Sequence, residues 1–178
     1  KFQAAIQQGL DVITKIKPST GGTTANGTIS VGNDTLNALA LPNGGGRYIY
    51  AFNRSQNEVV RFDANTNGDT SYSLASNDSA GSVIAGAINP VDGLYYYAVG
   101  GDTWKLYAFN TSSNTGIGQV GTISGLGSNG DMAFDALGNL ARVELPDGSA
   151  WEYAHDTLSR LVAVTSPEGG TWRQEYDV

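Results

Sequence analysis

The chain has 178 residues, of which 40% are hydrophobic and 15% are charged, so a globular core is expected under a surface of Ser, Thr, Asn and Gly. Its formal charge of −7 disfavours nucleic-acid partners, because an acidic surface repels phosphate. The lack of cysteine excludes disulfides and thiol chemistry. The sequence also lacks an apolar run of about eighteen residues, which is the pattern that would predict a membrane-spanning helix.

The first twelve residues differ in pattern from the rest of the chain. Phe2, Ile6 and Leu10 recur at every fourth position, which is typical of one face of a helix. Two interpretations of residues 1–12 stay open: a terminal segment packed on the first strand, or a short helix used for assembly or anchoring. Since the sequence starts at Lys1 without a signal-peptide pattern, we expect a processed or excised chain.

A strand candidate that runs into a polar turn occurs three times. The copies are residues 13–21, 59–68 and 105–116. Lys17, Asp63 and Asn110 hold the same position in them, 46 and then 47 residues apart. Their Asn, Ser and Gly residues tolerate the backbone geometry of tight turns.

A second unit keeps the same spacing and reads as a strand, a turn and a second strand. The copies are residues 40–44, 87–93 and 133–139. Ala40, Ala87 and Ala133 are 47 and then 46 residues apart. Two independent markers on one period predict a repeat of four short strands, which is the unit of a β-propeller blade.

These copies resemble the blades of large, repeat-rich surface proteins of Gram-positive bacteria. The resemblance rests on the paired segments 50–53 and 107–110, on 88–97, and on 130–135. We therefore predict an all-β fold with propeller-like four-stranded repeats over residues 13–133. Because such units bury their apolar faces only against one another, neighbouring repeats or subunits are the expected partners.

From Asp135 onward the sequence repeats with a shorter period. Asp135, Asp156 and Asp177 are 21 residues apart, and each copy contains a Pro-Asp-Gly or Pro-Glu-Gly turn typical of a hairpin. The positions that align exactly are Leu137/Leu158, Leu140/Leu161, Val143/Val164, Pro146/Pro167, Gly148/Gly169 and Trp151/Trp172. Two β-hairpins are therefore predicted over residues 134–178.

The 21-residue copies closely resemble the YD repeats of Rhs proteins, whose relatives include teneurins and the shells of Tc toxin complexes. Tyr176-Asp177 matches the signature, Phe134-Asp135 is a conservative variant and His155-Asp156 a looser one. The resemblance implies a β-sheet spiral that forms a hollow shell. A propeller followed by YD repeats also matches the order found in teneurin-like architectures.

One loop resembles the start of a calcium-binding loop. Asp63, Asn65, Asn67 and Asp69 place oxygen ligands at alternate positions, with glycine at the sixth. Leu74 stands at the twelfth position, where a bidentate glutamate is wanted. Calcium is therefore one interpretation of this loop, and an ordinary polar turn of the repeat is the other; no further cofactor is predicted.

His155 is the one histidine of the chain, so neither a two-histidine metal site nor a relay is available. The carboxylates fall mainly in turns, without a spacing that forces a catalytic pair. The sequence predicts a packed or half-exposed histidine and a protein that is not an enzyme.

Four aromatic residues are candidates for stacking on sugar rings, whose apolar faces suit aromatic side chains. They are Tyr96, Trp104, Trp151 and Trp172. The alternative is burial, because every second residue of a strand faces the core. Trp151 and Trp172, one repeat apart, should line up as a ladder.

Together these patterns predict a structural or interaction segment of a large secreted or cell-surface bacterial protein. Its function would be adhesion or assembly, with surface proteins or glycans as further partners. The second hypothesis is a wall segment of an Rhs-type toxin shell that encloses a toxic domain.

Overall fold

The structure is a computed structural model that describes residues 3–7, 12–16, 23–28, 36–42, 46–75, 82–101, 103–124, 130–145 and 147–176. These residues form sixteen β-strands and contain no α-helix, which confirms the predicted all-β class. Within them, no helix is long and apolar enough to cross a membrane.

The strands form four antiparallel sheets, in each of which neighbours in sequence are neighbours in space. Sheet I contains β1 (Gln3–Gln7), β2 (Val12–Ile16) and β3 (Thr23–Thr28). Sheet II contains β4 (Leu36–Ala40), β5 (Tyr48–Asn53), β6 (Glu58–Asp63) and β7 (Gly68–Ser73).

Sheet III contains β8 (Val83–Ile88), β9 (Leu94–Val99), β10 (Thr103–Asn110) and β11 (Thr115–Ser124). Sheet IV contains β12 (Asp131–Phe134), β13 (Leu140–Glu144), β14 (Ala150–His155), β15 (Leu161–Thr165) and β16 (Thr171–Arg173). The fifth strand distinguishes sheet IV from sheets II and III.

The helical interpretation of residues 1–12 does not hold for Gln3–Gln7, which form strand β1, while residues 1–2 and 8–11 lie outside the described ranges. Its basis was ambiguous: the apolar residues Phe2, Ile6 and Leu10 are all even-numbered, and residues an even number apart also share one face of a strand. A spacing of four therefore fits both structures when the residues between are small or polar.

The sheets follow one another as propeller blades do. The first strand of sheet II, β4, packs against the first strand of sheet III, β8, which in turn packs against β12 of sheet IV. Strands in the same position of sheets II, III and IV start 45 to 48 residues apart. The predicted propeller-like repeat is therefore confirmed, with first strands innermost and last strands outermost.

The 21-residue repeats continue this series. Phe134, where they begin, lies inside β12, and their two hairpins, β13–β14 and β15–β16, extend the sheet that β12 starts. The predicted boundary between residues 133 and 134 thus falls within one strand. The period of the sequence changes from about 46 to 21, while the spacing of the strands stays the same.

Two apolar cores lie between sheets II, III and IV, one at each contact between neighbouring sheets. The core between sheets II and III is rich in tyrosine and phenylalanine, with Phe52 and Tyr97 ring centroids 4.8 Å apart and Tyr97 and Tyr107 rings stacked at 5.5 Å. The core between sheets III and IV combines Trp104 with Met132 and Val143. A third cluster covers the opposite face of sheet II.

Sheets II and III approach closely because Gly86 on β8 has no side chain. A Cβ atom there would lie 2.5 Å from the carbonyl oxygen of Ala38. The Tyr95 hydroxyl donates a 2.6 Å hydrogen bond to the same oxygen, and Asn37 donates one to the Val83 carbonyl at 3.0 Å. These bonds satisfy backbone groups at the buried contact between β4 and β8.

Candidate functional site

The predicted calcium loop is the tight turn between β6 and β7. Asp63 ends β6, its carboxylate accepts the Asn65 backbone N–H at 3.0 Å, and Asn67 adopts a left-handed backbone with φ of 58°. The turns that begin at Asn53 and Asn110 have the same design, with asparagine at φ of 57° four residues later. Hairpin geometry alone therefore accounts for the spacing of oxygen-bearing side chains.

The carboxylate of Asp63 already has a cationic partner. Arg47 Nε donates to Asp63 Oδ1 at 2.9 Å and Nη2 donates to Oδ2, which together give the bidentate geometry that guanidinium favours. The hydrogen bond from Arg47, followed by that from the Asn65 backbone, holds the pKa of Asp63 well below its usual range. The guanidinium thus stands where a calcium ion would need the same two oxygens.

The remaining predicted calcium ligands are spread over the turn and β7. Asp69 lies in β7 opposite Phe62, while Asn65 and Asn67 occupy the turn itself. In the described ranges, no group of three or more His, Cys, Asp or Glu residues is placed to hold a metal ion. Calcium at this loop stays a prediction, and the Arg47–Asp63 pair does not favour it.

The prediction of sugar stacking at Trp104 is wrong, because this residue is 0% exposed in the core between sheets III and IV. Sheet IV covers the face of β10 on which Trp104 lies. Tyr96 also belongs to this core, with its ring 5.2 Å from that of Phe134. Burial, followed by a hydrogen bond from its hydroxyl to Asp92, raises the pKa of Tyr96 to about 12.

Trp151 and Trp172 lie on the same face of sheet IV but differ in burial. Trp151 pairs with Val143 and packs into the core, whereas Trp172 pairs with Val164 on the last strand and is 50% exposed. The two rings lie two strands apart rather than on adjacent strands. Of the four aromatic candidates, Trp172 presents the most open ring face.

The aspartates of the 21-residue repeats are turn-forming residues. The carboxylate of Asp135 accepts the backbone N–H of Leu137 and Asn139, and that of Asp156 accepts the N–H of Leu158 and Arg160. Hydrogen bonds from Arg160, first from its backbone, lower the pKa of Asp156. The aspartate of each repeat thus holds the turn between two strands of sheet IV.

His155 occupies the position before the second of these aspartates. The residue is half-buried, and its Nδ1 atom is buried without a hydrogen-bond partner among the residues described. A catalytic histidine needs a group that orients its ring, and Nδ1 has none here. The predicted packed or half-exposed position is therefore observed.

An open concavity lies at the outer end of sheet IV. Its volume is about 680 Å³, and its lining includes the small residues Ala154, Ala163, Thr165 and Thr171. Charged residues line it as well: Arg160 pairs with Asp156 at 2.7 Å and stacks on Tyr176 at 4.5 Å. An open concavity lined by small and charged residues suits contact with another macromolecule better than enclosure of a small ligand.

A polar contact between sheets III and IV had no signal in the sequence. The side chain of Asn89, buried in the β8–β9 turn, donates a 3.0 Å hydrogen bond to the carbonyl oxygen of Gly138 in the β12–β13 turn. Its own Oδ1 accepts the Val91 backbone N–H at 2.9 Å. Any turn asparagine can make the second bond, so only the neighbouring sheet distinguishes Asn89.

Several solved structures resemble the fold at low sequence identity. An auxiliary nutrient binding protein from Bacteroides ovatus matches over 93% of this chain with a TM-score of 0.61 and 12% identity. A provisionally named 6-phosphogluconolactonase from Bacteroides uniformis matches over 90% with 0.56 and 15%, and the WD40 repeats of RRP9 over 96% with 0.53 and 16%. WD40 repeats form β-propellers, so these likenesses support the propeller-like fold.

The chain spans less than half the length of these structures, covering 42%, 49% and 48% of them. No curated protein sequence is similar to the chain. A family model does match part of it: residues 134–171 fit the RHS Repeat. The chain therefore carries RHS repeats at the positions where sheet IV is built.

Proposed function

We propose that this chain is a non-catalytic structural and interaction segment of a large secreted or cell-surface bacterial protein, with a role in adhesion or assembly. The observation that carries the proposal is the continuous series of sheets, in which RHS repeats form the sheet after two propeller-like ones. A series of this kind stabilises itself through contacts between neighbours and presents its outer strands and turns to partners.

The chemistry of the described residues supports a non-catalytic role. Asp63, Asp135, Asp147 and Asp156 each accept backbone N–H groups in turns or pair with arginine, and His155 lacks an orienting partner. A similar fold occurs in a protein named as a lactonase, so these side chains, rather than the fold, support the non-catalytic role. A hydrolase assay in which His155→Ala abolished activity would contradict it.

Sheet IV offers the surface for partners. The concavity beside β16 and the exposed ring of Trp172 lie at its outer end. Neighbouring repeats or subunits, surface proteins and glycans are the proposed partners, with Trp172 as the glycan-stacking residue.

The surface location is tested on intact cells that produce the protein. Antibodies against the chain should label these cells without permeabilisation, and a protease added outside should remove the label. Labelling that needs permeabilisation and survives the protease would contradict the proposal.

The alternative is a wall segment of an Rhs-type toxin shell. It is favoured by the fifth strand, β16, because sheet IV thereby extends beyond the four strands of sheets II and III. The residue after β16 continues the pairing with β15, since the Gln174 backbone N–H donates a hydrogen bond to the Val162 carbonyl. Electron microscopy of the full-length protein separates the two hypotheses. A closed hollow shell with sheet IV in its wall supports the alternative, and an open, exposed array supports adhesion or assembly.

A further inference from the structure

An arginine lies among tyrosines at the rim between sheets II and III. The Arg61 guanidinium carbon is 4.4 Å from the Tyr48 ring centroid and 5.4 Å from that of Tyr72. Its Nη1 donates to Asn114 Oδ1 at 3.3 Å, across to the β10–β11 turn of sheet III. The side chain is half-buried and belongs to the face of sheet II that packs on sheet III.

Arg61 has no carboxylate partner in the described part of the chain. The nearby Arg47 has one, Asp63, so the charges of that pair cancel. A half-buried cation without a counterion is costly, and contacts with tyrosine rings offset only part of the cost. The charge of Arg61 therefore stays available to an anion.

The groups around Arg61 form a polar and aromatic frame. Tyr50 lies directly opposite Arg61 on β5; burial raises its pKa, while the charge of Arg61 acts in the opposite direction. From sheet III come Asn114 and Thr111, whose hydroxyl donates to the Gly93 carbonyl at 2.6 Å. The Arg47 guanidinium carbon also lies 5.1 Å from the Tyr48 ring centroid, and aromatic faces beside guanidinium groups suit a ring or short chain that carries an acid group.

The repeat itself shows that the sheet does not need an arginine here. Asp63 and Asn110 are equivalent, so Arg61 corresponds to Ala108, which is fully buried in sheet III. The bond to Asn114 is long and uses one of five guanidinium N–H donors. An inter-sheet contact alone therefore accounts poorly for this residue.

We propose that the rim between sheets II and III binds a carboxylate group, which the Arg61 guanidinium holds while Tyr48 and Tyr72 contact the rest of the ligand. The carboxylate belongs to an acidic sugar or to an acidic peptide side chain. This site goes beyond the structural role proposed above and does not depend on it, because none of its residues lies in sheet IV.

Titration of the chain with glucuronate and with N-acetylglutamate, followed by NMR of the arginine Nε–Hε groups, tests the site. Saturable shifts at Arg61 are expected with at least one compound, and neutral methyl glucoside should give none. Isothermal titration calorimetry, which does not depend on the Arg61 signal, should show that Arg61→Gln weakens binding about 10- to 100-fold, as expected for loss of a charge-assisted pair. Arg61→Lys, which keeps the charge but not the fork, should bind with intermediate strength.

Arg142→Gln is the matched control, because it removes the same charge from sheet IV and should leave binding unchanged. Binding of glucuronate alone assigns the site to acidic sugars, and binding of N-acetylglutamate alone assigns it to acidic peptides. The proposal is overturned if neither compound gives a saturable shift at Arg61 in the unmodified chain. Equal weakening by Arg61→Gln and Arg142→Gln would overturn it too, since the effect would then be one of net charge.

Discussion

Sheets III and IV have the same strand order and the same spacing along the chain, but they are stabilised differently. In sheet III, strands β9 and β10 bury Tyr95, Tyr97, Trp104 and Phe109 almost completely. In sheet IV, the strands in the same positions, β13 and β14, are half-buried or exposed at every residue except Val143. The difference lies in what covers each sheet: sheet III has a neighbour on both faces, and sheet IV packs on sheet III alone among the sheets described.

Local hydrogen bonds compensate in sheet IV. Each of its four turns has the same pair of backbone bonds, such as Gly148 N–H to Leu145 O and Leu145 N–H to Ser149 O. Asp135, Asp147 and Asp156 add side-chain bonds to these turns. A repeat as short as 21 residues thus fixes its hairpins by turn chemistry and depends less on a large core.

The largest expected effect comes from the two extremes of burial in this comparison, the fully buried Trp104 and the half-exposed Trp172. Trp104→Ala should lower the free energy of unfolding by about 3–5 kcal/mol, because a large cavity opens between sheets III and IV. Trp172→Ala should cost less than about 1 kcal/mol, since half of its side chain is already in water. Urea unfolding measures both, and equal losses would contradict the assigned burial.

The contact of the first strands is tested at Gly86. Gly86→Ala should lower the free energy of unfolding by about 1–3 kcal/mol, because its Cβ would meet Ala38 O at 2.5 Å and force β4 and β8 apart. Gly121→Ala on β11 is the control: its Cβ meets nothing within 4 Å, so its effect should stay within about 0.5 kcal/mol. A neutral Gly86→Ala would mean that these strands do not touch.

A smaller difference separates two glycines of sheet IV with the same backbone. Gly138 and Gly148 both have φ of 83°, so alanine at either position costs about 1–2 kcal/mol. At Gly138 the new Cβ would also lie 2.6 Å from Asn89 Oδ1, which disturbs the bond between sheets III and IV. Gly138→Ala should therefore exceed Gly148→Ala by about 1 kcal/mol in thermal or urea unfolding. Equal effects of the two substitutions would show that the Asn89 hydrogen bond does not stabilise the contact between sheets III and IV.

The smallest expected effect is a dependence on acid. Hydrogen bonds from Ser149 lower the pKa of Asp147, and those from Arg160 lower the pKa of Asp156. A lowered folded pKa stabilises the protein above the unfolded value of about 3.9, and this stabilisation is lost as the pH falls through the folded pKa. Asp156→Asn should therefore flatten the decline in stability below about pH 4. An unchanged pH profile would show that the turn bonds do not stabilise the ionised form.

The sequence predicted the local features of the fold well, because turn chemistry is local. The glycines of Pro-Asp-Gly and Pro-Glu-Gly, Gly148 and Gly169, both take positive φ in the hairpin turns. The 46–47-residue spacing located the blades, and Asp63-Ala-Asn-Thr-Asn folds as the polar turn that was one of its two interpretations.

Features that depend on the next sheet were not predictable. Strand alternation places Trp104 on one face of sheet III, but whether that face is covered depends on sheet IV. The 21-residue period of the sequence did not reveal that these repeats form the next sheet of the propeller-like series. Asn89 has an ordinary turn sequence, and its bond to Gly138 needs the neighbouring sheet. Arg61 carried a signal that comparison of the repeats could have found, namely a charge where the next copy has Ala108.

The central claim is that the RHS repeats form the sheet next to sheet III and pack on it. Its most direct test is a proton NOE between the rings of Tyr96 and Phe134, whose centroids are 5.2 Å apart. The NOE should be observed together with that between Tyr95 and Tyr97, 5.8 Å apart within sheet III, which serves as the internal reference. If the reference NOE is present and the Tyr96–Phe134 NOE is absent, sheet IV does not pack on sheet III and the account is contradicted.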